Sequence, residues 1–190
     1  MKKKGLIAVG ITAAVIVVLL IAGVGFYNGL VSKQEAVERA QSEISNQLQR
    51  RADLIPNFVN TVQGYSDYEQ ETYTAVTEAR AAVSGANTVV EQAEAAEQLD
   101  GAISVWVNAI TEAYPELKAV EQYTALTDEL SGTENRIAQA RRDYNSAANE
   151  YNVAIKKFPR NLIAGMFGFD EADYFEADEG TESVPEVSFD

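Results

Sequence analysis

The chain opens on an apolar run and then changes period. Between Gly5 and Phe26 no residue is charged, and Thr12 carries the only polar side chain. These 22 residues, at about 1.5 Å each, make a helix of roughly 33 Å, against a hydrocarbon core of about 30 Å. Tyr27 follows, where an interfacial aromatic belongs. A cleaved signal peptide has an apolar core of about 7–15 residues and a small-x-small site. This run is longer and no A-x-A follows it, so the reading is an uncleaved single-pass anchor that engages the lipid bilayer over residues 5–26.

After Tyr27 apolar residues recur every three or four positions, in four stretches. The first, about 28–52, carries Val37, Ala40, Ile44 and Leu48 on one face and continues the membrane helix, with only Gly29 weakening the junction. Asp53 and Pro56 predict a stop and restart, since Asp suits an N-cap and Pro is tolerated in a first turn. The second stretch, about 54–84, steps through Ile55, Phe58, Val62, Tyr65, Val76, Ala79 and Val83, with Gly85 as its C-terminal stop. The third starts near Thr88 and carries Ala96, Leu99, Ile103, Trp106 and Ile110. Pro115 should end or kink it, but Leu117, Val120, Thr124 and Thr127 stay in phase, which predicts one kinked helix reaching about Leu130. Ser131 and Gly132 make the next turn, with Thr133 as N-cap. The fourth stretch, about 133–157, has the seam Ile137, Ala140, Tyr144, Ala147, Tyr151, Ala154 and Phe158, ended by Pro159.

A period near 3.5 sustained over such lengths argues coiled-coil-like packing, and short loops make neighbouring helices antiparallel. The fold expected is all-α: a transmembrane helix continuing into an antiparallel up-down-up-down four-helix bundle. Residues 1–4 form a basic N-terminus, 5–26 the membrane helix and 27–158 the bundle. Residues 159–169 are an apolar segment too short to span a bilayer. Residues 170–190 hold nine acids and no base, a composition that predicts a disordered tail.

Charge narrows the partners. The formal net charge is −14, from 15 Lys and Arg against 29 Asp and Glu. Such acidity disfavours nucleic acid, whose phosphates need a positive surface. Cysteine and histidine are absent. This removes disulfides, thiolate zinc sites, lipidated cysteine and the Ser–His and Cys–His catalytic arrangements. Lys2, Lys3 and Lys4 precede the apolar run, whereas bases beyond it are spread out and offset by acids. The positive-inside rule then places the N-terminus in the cytoplasm and the bundle outside the cell membrane.

Several phrases occur together: YNGLVSKQEAVERAQSEISNQLQRRADLIPNFVNTVQGY from Tyr27, EQETYTAVTEARAA from Glu69, and ENRIAQARRDYNSAANEYNVAIKKFPRNLIAGMFGF from Glu134. Behind a single N-terminal membrane helix, these closely resemble the LemA family, over about residues 27–175. The resemblance implies a membrane-anchored four-helix bundle without an agreed biochemical activity or catalytic residues to carry over. Some members belong to magnetosome-membrane gene sets, which implies membrane organisation. A family description places the short N-terminus outside the cell, opposite to what the lysines indicate. This chain departs from the family pattern at Phe58, Gln63 and Tyr68, where Leu, Lys and His are common.

Two candidate sites stand out. Arg50, Arg51 and Asp53 fall at the predicted first turn, and Arg141, Arg142 and Asp143 lie in the fourth stretch. Antiparallel helices would bring these clusters together as an ionic network that fixes register, with recognition of a carboxylate or phosphate as the other reading. Leu162, Ile163, Met166, Phe167 and Phe169 would, if exposed, form an apolar patch suited to lipid or a partner helix. No catalytic residue, metal site or cofactor is expected. The function expected is a non-enzymatic, membrane-anchored scaffold that self-associates or binds an envelope protein. The alternative is an accessory subunit of a membrane protease or transporter, with the acidic tail as docking peptide.

Overall fold

A helix that is apolar on every side needs lipid around it, and one that is apolar along a single stripe needs a protein neighbour. The first helix shows both regimes in turn. The computed structural model describes residues 2–62 and 70–175, and among these every regular element is helical. Helix α1 spans Lys2–Val62. From Val15 to Ile21 all its side chains are between 51 % and 67 % exposed. Its most apolar window has a mean hydropathy of 2.4 with none of it buried. It is the one described helix long and apolar enough to cross a membrane. From Leu30 onwards burial is confined to one face, at Leu30, Val37, Ile44, Leu48, Ile55 and Phe58.

The remaining elements are α2 (Gln70–Gly85), α3 (Val89–Ala113), a 3-10 turn (Pro115–Ala119), α4 (Glu121–Lys156) and α5 (Arg160–Phe167). The described residues fall into two compact units. One holds α1 up to Ile44 together with Gln139–Ala172. The other holds Ser45–Ala138 and the residues from Asp173. Helices α1 and α4 contribute to both.

In the first unit α1 buries Leu30, Val37 and Ile44, while α4 buries Tyr144, Ala148, Tyr151 and Ile155. Lys33 Nζ meets Glu150 Oε2 at 3.0 Å between the two helices. In the second unit α2 packs on α3. Phe58 is fully buried, edge-on to Trp106 at 4.9 Å and tilted against Tyr123 at 5.2 Å. The Tyr123 hydroxyl shares a 2.5 Å hydrogen bond with Thr111 Oγ1, so the ring is buried without stranding its polar end.

Three predicted breaks come out differently. The stop at Asp53 and Pro56 does not form, and Pro56 lies inside α1. An interior proline costs about 3 kcal/mol. Ile55, Phe58, Val59 and Val62 are all buried on the continuing face, and each large apolar side chain so placed contributes about 1.5–3 kcal/mol. Burial therefore outweighs the lost hydrogen bond. Asp53 caps nothing and instead accepts from Gln49 Nε2 at 2.9 Å. Residues 63–69, inside the second expected helix, lie outside the described residues.

The turn at Ser131 and Gly132 is also absent, because α4 runs through it. Ser131 Oγ donates to Thr127 O at 3.0 Å. Thr133, expected as an N-cap, is fully buried and donates to Leu130 O at 2.7 Å. Tyr123, Leu130, Ile137, Tyr144 and Tyr151, each seven residues apart, are all buried. Breaking the helix at Gly132 would put half of that seam out of phase. A Cβ at Gly132 would meet the Arg136 guanidinium at 3.5 Å, an ordinary contact. Gly132→Ala should therefore raise stability by about 0.5–1 kcal/mol in thermal unfolding, through helix propensity alone. Destabilisation would mean that a turn stands there after all.

The kinked helix through Pro115 is likewise replaced. Helix α3 ends at Ala113, and the 3-10 turn resets the phase. Leu117, Tyr123 and Leu130 are the buried residues beyond it, rather than Val120 and Thr124. Ala140 and Ala154 of the expected seam are buried in α4, but between them Ala148 is buried and Ala147 only half-buried. Phe158, expected to close the seam, is 79 % exposed.

The start near Thr88 is confirmed in detail. Thr88 Oγ1 accepts from Glu91 N at 3.2 Å, and Glu91 Oε2 accepts from Asn87 N at 2.8 Å and Thr88 N at 3.0 Å. This is a capping box. The N–H groups of Asn87, then Thr88, hold the Glu91 carboxyl below its usual range. Its contribution is complete above the ordinary carboxylate pKa and is lost as pH falls through the lowered one. Thr88→Ala should cost about 1 kcal/mol. Glu91→Gln should abolish the acid-induced rise in amide exchange in the first turn of α3, and an unaltered rise would count against this cap.

Candidate functional site

Among the described residues, Arg51 is the one charged residue buried in α1, at a position seven residues from both Ile44 and Phe58. Its side chain is 3 % exposed. Nη1 donates to Asp100 Oδ1 on α3, and Nη2 lies 3.8 Å from Glu134 Oε2 on α4. Among the described residues its Nε has no hydrogen-bond partner. Beside it is a cavity of about 160 Å³ lined by Ile103, Ser104, Asn108, Thr127 and Glu134. A second cluster stands in the same unit. Glu129 Oε1 accepts from Arg50 Nε at 3.1 Å and Nη2 at 2.8 Å, and from Arg136 Nη2 at 2.6 Å. Asp53 Oδ1 is 3.7 Å from Arg80 on α2.

The arginines of the predicted first turn thus face Asp100, Glu129 and Glu134. Arg141, Arg142 and Asp143 belong to the other unit. There Arg142 donates to Gln139 Oε1, and Gln139 Nε2 donates to Asp143 Oδ1, both at 2.8 Å and both within α4. The missed signal was positional, because Asp100 and Glu134 are identifiable as partners only once Arg51 is placed on the buried stripe.

Around Arg51 one guanidinium faces two carboxylates. That balance does not suit an anionic ligand, and its geometry ties α1, α3 and α4 at one level. Among the described residues no group of three or more Asp, Glu, His or Cys is placed to hold a metal ion.

The second candidate lies in the first unit. The apolar C-terminal segment forms α5, closed by Gly168 in the left-handed region at φ 73°. Leu162, Met166 and Phe167 are exposed, Ile163 and Phe169 half-exposed, and Ala164 buried. The Tyr27 ring lies against Phe167 at 4.9 Å and Phe169 at 5.6 Å, both edge-on. Beyond α5 the acidic stretch is fastened at its start. Asn152, 3 % exposed, donates to Ala172 O and accepts from Ala172 N, both at 2.8 Å. Lys156 meets Glu171 at 2.6 Å. Residues 170–175 are therefore held rather than disordered, and 176–190 lie outside the described residues. Burial pushes the Tyr151 phenol above its usual range, and Asp170 and Glu38 push in the same direction.

The family model for the LemA family matches residues 40–189. The chain belongs to the LemA family. Magnetosome protein MamQ 2 of Paramagnetospirillum magneticum is 28% identical over 175 residues, covering 79% of this chain and 64% of the relative. Protein LemA of Metamycoplasma hominis is 29% identical over 157 residues, covering 82% of this chain and 71% of the relative. Magnetosome protein MamQ of Magnetospirillum gryphiswaldense is 26% identical over 174 residues, covering 78% and 64%. The chain thus spans less than two thirds of the length of these MamQ relatives. The LemA match takes in Arg51, Asp100, Glu134 and all of α5, and it begins beyond the apolar part of α1. Of the three expected departures, Phe58 stands in the aromatic core, while Gln63 and Tyr68 lie outside the described residues.

Proposed function

We propose that this LemA-family chain is a non-enzymatic, membrane-anchored scaffold that presents an antiparallel, coiled-coil-like four-helix bundle to protein partners at the cell envelope. The observation that carries this reading is the unbroken α1, which runs from an apolar stretch exposed on every side to the buried Val62. A continuous helix transmits the tilt and height set in the membrane to whatever packs on it. Complementary seven-residue seams on α1 and α4 support the bundle, as do the ion pairs that join the two helices in each unit. The charged side chains around Arg51 are engaged in holding helices together, which leaves them poorly placed for acid–base chemistry. The lysine-rich N-terminus supports a cytoplasmic start and an extracytoplasmic bundle.

Crosslinking in native membranes followed by mass spectrometry tests the reading. Reproducible crosslinks to a second copy or to envelope proteins are expected, and they should be lost when residues 1–26 are removed. Their absence from the intact chain would sink the proposal. If removing residues 176–190 abolishes partner capture while self-association persists, the accessory-subunit reading replaces it.

A further inference from the structure

The apolar surface of α5 lies at the level where α1 leaves the membrane. Tyr27 is the residue after the apolar run, and its ring touches Phe167 and Phe169 directly. Register along the neighbouring helix gives the same level. Lys33 pairs with Glu150. The six residues from Glu150 to Lys156 rise about 9 Å, as do the six from Lys33 back to Tyr27. Helix α4 therefore ends beside Tyr27, and α5 begins there.

Several large apolar side chains are exposed at that level. Phe158 is 79 % exposed, Leu162 60 %, Met166 74 % and Phe167 58 %. Leu162 and Met166, four residues apart, lie on one stripe of α5, and Phe158 stands in the turn just before it. In a chain of net charge −14, the only charged residues between 157 and 169 are bases, Lys157, exposed, and Arg160, half-buried, ahead of the acids that begin at Asp170. An apolar stripe bordered by bases is the pattern of a helix lying in the headgroup region. Aromatic side chains are favoured at that depth.

We propose that α5 is an interfacial helix whose Leu162, Met166 and Phe167, with Phe158 in the turn before it, enter the bilayer surface from which α1 emerges. The occupant of this face is lipid, on two grounds: the contact with Tyr27 at the end of the span, and the basic flank, which suits anionic headgroups. A second membrane contact, off the axis of α1, would restrict the rotation and tilt of the first unit. This inference does not depend on the scaffold reading.

The absence of native cysteine makes the test direct. Single variants Leu162→Cys, Met166→Cys, Val18→Cys and Ser42→Cys of the full chain are labelled with an environment-sensitive fluorophore. They are reconstituted in phosphatidylcholine vesicles with a minority of phosphatidylglycerol. Val18, inside the apolar run, reports insertion. Ser42 is exposed and lies about 22 Å along α1 beyond Tyr27. The expected result is several-fold stronger quenching at positions 162 and 166 than at 42 by lipids spin-labelled high on the acyl chain. Lys157→Gln with Arg160→Gln should weaken that quenching. If position 18 is quenched but 162 and 166 behave like 42, the proposal is overturned. Crosslinking between copies through position 166 without lipid quenching would overturn it in favour of a second copy on this face.

Discussion

Replacing Phe58 by alanine should lower the unfolding free energy by about 3–5 kcal/mol. The ring is fully buried and lies against both Trp106 and Tyr123. Its removal therefore forfeits transfer free energy and leaves a cavity between three helices that can close only by moving α1, α3 or α4. Phe58→Leu should cost much less, about 1 kcal/mol, since it keeps most of the apolar volume. Trp106 is the only tryptophan, so its emission reports on the cavity itself. Urea unfolding of the detergent-solubilised chain, followed by circular dichroism and tryptophan fluorescence, gives both numbers. A loss below about 1 kcal/mol for Phe58→Ala with unaltered emission would contradict this aromatic core.

The second large effect is an asymmetry around Arg51. Asp100→Ala should cost about 2–4 kcal/mol, more than Arg51→Met. The physical reason is which charge each variant strands. The Arg51 side chain is 3 % exposed and Asp100 is 34 % exposed. Removing Asp100 leaves a guanidinium in the interior whose remaining acid among the described residues is Glu134, at 3.8 Å, and a stranded interior charge is costly. Removing the guanidinium leaves two carboxylates that water already reaches, and methionine fills much of the same space. Arg51→Met should stay within about 1.5 kcal/mol of the parent, because apolar replacement of a buried ion pair is often near neutral. The two variants measured side by side in the same unfolding assay decide the point. Equal losses would mean that Arg51 matters through volume and not through its charge. Helices made more stable by Arg51→Met but mixed in register would show why an arginine stands on that stripe at all.

Much of this architecture was legible as pattern, and the errors share one cause. Local turn chemistry was weighed above long-range period. Asp53 with Pro56, and Ser131 with Gly132, are good turn residues, and each was read as a break. Both lie within buried seven-residue series: Leu30, Val37, Ile44, Arg51 and Phe58 on α1, and Tyr123, Leu130, Ile137, Tyr144 and Tyr151 on α4. A series that keeps its phase across a glycine or proline argues that the helix does too. Pro115 is the converse case. There the phase does shift, with Tyr123 and Leu130 buried in place of Thr124 and Thr127, and the helix does break.

The sequence by itself determined that the chain is helical, that one N-terminal segment is apolar enough to span a bilayer, where α3 starts, and which family the chain resembles. These follow from hydrophobic period, length and cap chemistry, all local along the chain. Only the tertiary structure decided which acids meet Arg50 and Arg51, that Asn152 holds Ala172, and that α5 lies against Tyr27 with its apolar side uncovered. Those pairings join residues between 20 and 140 positions apart. No local propensity encodes them, because they depend on how far each helix runs before it ends.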